Sequence, residues 1–133
     1  MVEPMRILQP EGWARPRGYS NGIAARGELI FVAGQIGWNA AGEFESDDFV
    51  EQTRQALSNV VAVLAGAGAT PDRITRMTWY VADKQQYLAS AREVGSVYRE
   101  IIGDHYPAMT LVIADLLEDR ALLEIEATAV IAE

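Results

Sequence analysis

ALLEIEATAVI, residues 121–131, alternates between two kinds of side chain. Leu123, Ile125, Ala127, Ala129 and Ile131 fall on one side, and Glu124, Glu126 and Thr128 on the other. Period two over this length predicts a strand with one face in the core and one face elsewhere. The chain must therefore supply a layer to cover the apolar face.

Two helical segments meet that need. In 49–64, Phe49, Thr53, Ala56, Leu57, Val60 and Leu64 recur at spacings of three and four, as on one helix face. Ser46, Asp47 or Asp48 offers an N-cap, Glu51 suits the positive end of the dipole, and Gly66 and Gly68 before Pro71 mark the end. A second helix is predicted over about 84–102, burying Tyr87, Ala91, Val94, Tyr98 and Ile101 or Ile102, with Gly103 as its stop.

The remaining stretches read as strands. Residues 6–9 form a short first strand. GYSNGIAARGELIFVAGQIGW, from Gly18, reads as a hairpin turning at Arg26-Gly27. A loop covers 37–47, ITRMTWYVAD (74–83) is a buried strand, and AMTLVIADL follows Pro107 as another. The order ββ(β)–α–β–α–β–β predicts a single α+β domain over 1–133, with two helices on one face of a mixed sheet. Trp79, Val81 and Leu111 make a bare second face costly, so a homo-oligomer with clefts at its seams is expected.

Composition excludes several chemistries. With no cysteine among 133 residues, disulfides, thiolate nucleophiles and Cys-type zinc sites are ruled out, and one histidine makes no multi-His metal site. Nineteen acids against 11 bases give a formal charge of −8, and the bases are scattered, which argues against nucleic acid as a partner. No apolar run is long enough to cross a bilayer, and MVEPMRILQPEGW lacks the pattern of a signal peptide, so no membrane partner and a cytoplasmic location are expected.

His105 is either a titratable catalytic group or a loop residue at a helix C-terminus. Glu124 and Glu126, about 7 Å apart along a strand, are either solvated or paired, or one is desolvated at a seam and holds a water. Tyr19 either touches a ligand or closes the loop before its strand. AGQIG around Gly34 exposes backbone N–H groups but matches no phosphate loop. Trp38, Trp79 and Tyr80 are core, interface or pocket wall.

Together YSNG-I near residue 19, GELIFVAGQIG (27–37), QTRQALSNVVAVLAGAGA (52–69), the strand ending in Asp83, HYPAMTLV (105–112) and EIEATAV (124–130) resemble the RidA (YjgF/YER057c/UK114) family. The resemblance runs over nearly the whole chain. It implies a chorismate-mutase-like α+β fold, a homotrimer with sites in its subunit clefts, and cofactor-free hydrolysis of reactive enamines or imines such as 2-aminoacrylate to a 2-keto acid and ammonia. By this resemblance Glu124 positions the attacking water. Tyr19, Ala33, Gly34, Met109, Leu111 and Trp79 become the candidate substrate contacts, and no metal is implied.

One departure is large. The family's Pro-Ala-Arg-Ser reads Pro107-Ala108-Met109-Thr110 here, so Met109 stands where relatives carry a carboxylate-binding arginine. Its loss costs on the order of a few kcal/mol in carboxylate binding. Gly95 stands where the family often has asparagine, and the second helix reads about a turn longer. A methionine beside Trp38 or Trp79 favours an apolar or aromatic substrate, an aminomuconate-type intermediate among them. The alternative function is a non-catalytic trimer that binds a small metabolite. Ribonuclease activity is disfavoured by charge and by the lack of a histidine pair.

Overall fold

A computed structural model describes residues 5–132; the first four residues of the N-terminal segment read for a signal peptide lie outside them. Strands β1 (Arg6–Leu8) and β2 (Gly22–Ala24) pair antiparallel in a sheet of their own. The main sheet holds β3 (Glu28–Ile36), β4 (Ile74–Val81), β5 (Ala108–Ile113) and β6 (Leu123–Ile131) in the order β3-β6-β4-β5. β6, the alternating strand, lies inside the sheet and is antiparallel to both neighbours. β4 and β5 are parallel, which requires a crossover, and helices α2 (Lys84–Ala89) and α3 (Ala91–Ile101) supply it.

Helix α1 (Phe49–Ala65) follows its sequence pattern closely. Asp48 is the N-cap, accepting from Glu51 N at 3.0 Å, and all six predicted stripe residues are buried. The end is closed by Gly68 at φ +75 and a 3.0 Å bond from Ala69 N to Leu64 O. The core lies between α1, α3 and one sheet face, where Met77, Trp79 and Val81 of β4 meet Leu123, Ile125, Ala127 and Ala129 of β6. A wholly buried side chain such as Leu57 is worth about 2–5 kcal/mol against alanine in this setting.

Two expectations are corrected. The predicted hairpin does not form: β2 pairs with β1, and β3 runs along β6. Gly27, at φ +145, sits so close to the Ile131 carbonyl that a Cβ would collide with it, so the turn residues serve the β3–β6 seam instead. The single helix over 84–102 is broken at Ser90 (φ −106, ψ 5), which ends α2 and begins α3. Serine competes for backbone bonds and suits such a junction. The break lets Tyr87 meet Phe49 edge-on while α3 lays Val94, Val97 and Tyr98 on the core.

The loop before α1 is tied down by a side chain outside the predicted stripe. Gln52 is buried, and its Nε2 donates to the carbonyls of Ser46 and Arg120, both at 3.0 Å. Its Oε1 accepts from Leu122 N at 2.9 Å. Asn59 adds bonds to the Ile36 and Trp38 carbonyls at 3.1 and 2.8 Å.

Candidate active site

The candidate residues divide between the two faces of the sheet. Strand register places Met109 beside Met77 and Leu111 beside buried Trp79, all on the helix-covered face. Glu124 is paired with Tyr80, and Glu126 with Thr78, on the open face. Side chains of consecutive strand residues point to opposite sides, so the sheet itself separates the two groups.

On the helix side, a cavity of about 540 Å³ lies at the β5 edge, lined by Tyr19, Trp79, Met109 and Leu111 among others. Four of the six predicted substrate contacts therefore share one concavity. Tyr19 is held there by its neighbour. Buried Ser20 donates its backbone N–H to Pro107 O at 3.0 Å and its hydroxyl to Tyr106 O at 2.5 Å. This clips the loop onto the start of β5.

Further walls come from Tyr87, Tyr98 and Tyr106; the last two rings stack at 5.6 Å and 16°. Arg17 and Arg99 also line the cavity, and sequence reasoning singled out neither. Arg99 carried a faint signal, since it lies one helical turn after the unexpected Gly95. The Trp79 indole N–H is buried without an acceptor among the described residues. Trp38 packs instead on Phe44 at 5.9 Å, so Trp79 is the tryptophan beside Met109.

On the open face, the Glu124 carboxylate rests over Gly34, and a Cβ there would collide with it. The β3–β6 register slips between Val32 and Gln35, a bulge that carries Ala33 and Gly34. Ala33 borders a shallow depression with Phe31, Arg76 and Glu126. Glu126 is engaged by the Tyr80 hydroxyl at 2.7 Å. That hydrogen bond, helped by burial, pushes the Tyr80 phenol above its usual pKa. Glu126 is thus the tied carboxylate of the two, and Glu124 has no side-chain hydrogen bond of that kind among the described residues.

His105 lines neither region. Its Nε2 lies 2.6 Å from Ile74 O, and its carbonyl accepts from the Tyr98 hydroxyl at 2.6 Å. It braces the end of α3 against the start of β4. Among the described residues no cluster of three His, Cys, Asp or Glu could hold a metal ion, and no helix could cross a membrane.

The family model described as endoribonuclease L-PSP matches residues 13–131. The chain belongs to this family, the RidA family. A RutC family protein of Pyrococcus horikoshii is 34% identical over 125 residues, covering 92% of this chain and 95% of that protein. A Capra hircus protein named 2-iminobutanoate/2-iminopropanoate deaminase is 30% identical over 102 residues, 76% of this chain and 72% of its own. Among solved structures, the Rid family protein YyfB of Yersinia pestis superposes with a TM-score of 0.85 at 32% identity, over 96% and 98% of the two chains. The α+β fold expected for the RidA family is the fold of this chain.

Proposed function

We propose that this RidA family member is a deaminase that hydrolyses a reactive enamine or imine bearing an apolar or aromatic body, at clefts where two copies meet. The observation that carries this reading is the division of the site. The cavity holding Met109 and Tyr19 and the Glu124–Gly34 pair lie on opposite faces of one sheet, so one chain cannot bring them to one substrate. A second copy, laying its open face beside the β5 edge of the first, can. The open face invites such cover, because Leu29 and Phe31 are 58% and 73% exposed on it. A homotrimer closes this head-to-tail contact into a ring.

The chemistry needs little apparatus. An enamine tautomerises to its imine, in which the reacting carbon is doubly bonded to nitrogen. Glu124 takes a proton from a water as the oxygen bonds to the imine carbon, and the carbon–nitrogen π pair moves to nitrogen. The proton passes from Glu124 to that nitrogen to give a carbinolamine. Glu124 then relays the carbinolamine hydroxyl proton to the nitrogen as the carbon–nitrogen bond breaks with its pair going to nitrogen. The O–H pair closes the carbonyl, so that ketone and ammonia leave. Backbone groups at the Ala33–Gly34 bulge fix the reacting end. Met109 gives the pocket an apolar floor in place of a fixed cation, which favours substrates larger than the small imino acids named for the goat relative.

The experiment is ammonia release by purified protein offered 2-iminobutanoate, an aminomuconate and the imine of phenylpyruvate side by side. Faster turnover of the larger substrates, abolished in Glu124→Gln, is expected. No acceleration of any of the three sinks the reading. RNA cleavage, suggested by the family model's description, gains nothing here: the chain carries −8 and a single histidine, which is engaged in bracing the fold.

A further inference from the structure

Replacing the family's arginine by Met109 removes a cation from β5, yet the cavity is not without cations. Arg17 and Arg99 both border it, and among the described residues neither makes an ion pair with a carboxylate. Arg99 is held only by a long 3.5 Å contact from Nη2 to Ser96 Oγ. An unpaired guanidinium beside an aromatic and apolar cavity is a ready partner for an anion.

The position of Arg99 depends on a second residue. Helical side chains lean toward the N-terminus, which lays Arg99 back over residue 95. That residue is glycine inside a helix, an unfavourable choice on propensity alone. A Cβ built there would stand 3.3 Å from Arg99 Nη1, tighter than ordinary contact, so the bare backbone of Gly95 is the seat on which the guanidinium rests.

We propose that Arg99, seated on Gly95, receives the substrate carboxylate in place of the arginine missing at 109, with Arg17 as a second cation on the cavity's rim. The grip has moved from strand β5 to helix α3. The apolar body then packs on Met109, Leu111 and Trp79, where an arginine would have blocked it. The substrate class is an anionic enamine or imine with an aromatic or long apolar side chain. This inference rests on the reading of the cavity as the substrate's site and specifies its charge recognition.

The test uses the purified protein and two unreactive probes, 3-phenylpropanoate and its amide, titrated by calorimetry. Arg99→Gln is expected to weaken the carboxylate at least tenfold and leave the amide unchanged, and Arg99→Lys to recover part of the loss. Equal binding of the carboxylate by Arg99→Gln and the parent overturns the inference, as does an equal loss for both probes. Binding of neither probe by the parent overturns it together with the assignment of the cavity. In the deaminase assay, Arg99→Gln is expected to raise KM with kcat kept. An unchanged KM overturns the inference alone, whereas Arg99-dependent carboxylate binding without any ammonia release supports it and overturns the deaminase reading alone.

Discussion

The Glu124 carboxylate occupies the space that a side chain at residue 34 would fill. Gly34 is therefore required by its neighbour across the seam, because the bulge brings the β3 backbone under a carboxylate on β6. Glycine is the residue that permits such an approach. Gly34→Ala should push the flexible carboxylate aside with little damage to the fold. The expected outcome is a fall in kcat of ten-fold or more at a melting temperature within a few degrees of the parent, read by ammonia release and calorimetry. Full activity in a folded Gly34→Ala protein would show that this placement of Glu124 is irrelevant to turnover.

Gln52 offers a prediction about stability alone. Its amide satisfies two carbonyls and one N–H, joining α1 to the loop before it and to the entry of β6. Gln52→Leu keeps similar bulk but strands all three groups, at about 1–3 kcal/mol for each one left buried and unpaired. The substitution should cost about 3 kcal/mol or more in urea unfolding. Gln55→Leu, one turn along at a more open position, should cost far less.

The α1 stripe and the alternation of β6 were legible because helix and strand periods are set by local geometry, and burial followed them. The partner of β3 was not legible. Ile23, Ala25 and the LIFVAG run suit a hairpin, and what replaces it is pairing with strands elsewhere in the chain, β2 with β1 and β3 with β6. The break at Ser90 was hidden because the apolar spacing continues across it. Candidate site residues emerged through resemblance, since nothing in the spacing of Tyr19, Met109 and Glu124 brings them together. That Met109 and Glu124 face opposite ways follows from register, which one strand's sequence does not contain. Arg99 was passed over because an exposed helical arginine looks like any other; its meaning comes from Gly95.

Gly95 links stability to recognition. Alanine at a helix interior is favoured over glycine by roughly 0.5–1 kcal/mol. Here the new methyl would press on Arg99 Nη1 and shift the guanidinium by a few tenths of an ångström or more. Gly95→Ala should therefore raise the urea midpoint while weakening 3-phenylpropanoate, a stability gain accompanied by a loss of binding. A variant more stable than the parent and equal to it in carboxylate affinity would remove the reason for a glycine at this position.

The open face supplies a prediction about assembly. Phe31 projects from β3 on the same face as Glu124 and is largely exposed in the single chain. If copies meet there, Phe31→Lys places an unpaired cation in the seam and should convert the assembled protein to monomers by light scattering. Deaminase activity should fall with it. An unaltered oligomer in Phe31→Lys, or a parent that is monomeric at micromolar concentration, would remove this face from the assembly.

Alkaline pH should loosen the fold through its tyrosines. Burial raises the Tyr98 phenol well above its ordinary value, and Tyr80 is raised by its hydrogen bond to Glu126. Both are proton-bound in the folded state at a pH where the unfolded chain has released its protons. Their contribution is complete below the unfolded pKa of about 10 and is lost progressively as pH climbs from there toward the folded values. The urea midpoint should be insensitive to these two groups from neutrality to about pH 9.5 and fall beyond it. Tyr98→Phe loses the bond to the His105 carbonyl, costing about 1 kcal/mol at neutral pH. The same variant should flatten the alkaline decline, because one of the two protons that drive it is gone. An alkaline slope identical in Tyr98→Phe and the parent would mean that Tyr98 titrates alike in the folded and unfolded chain.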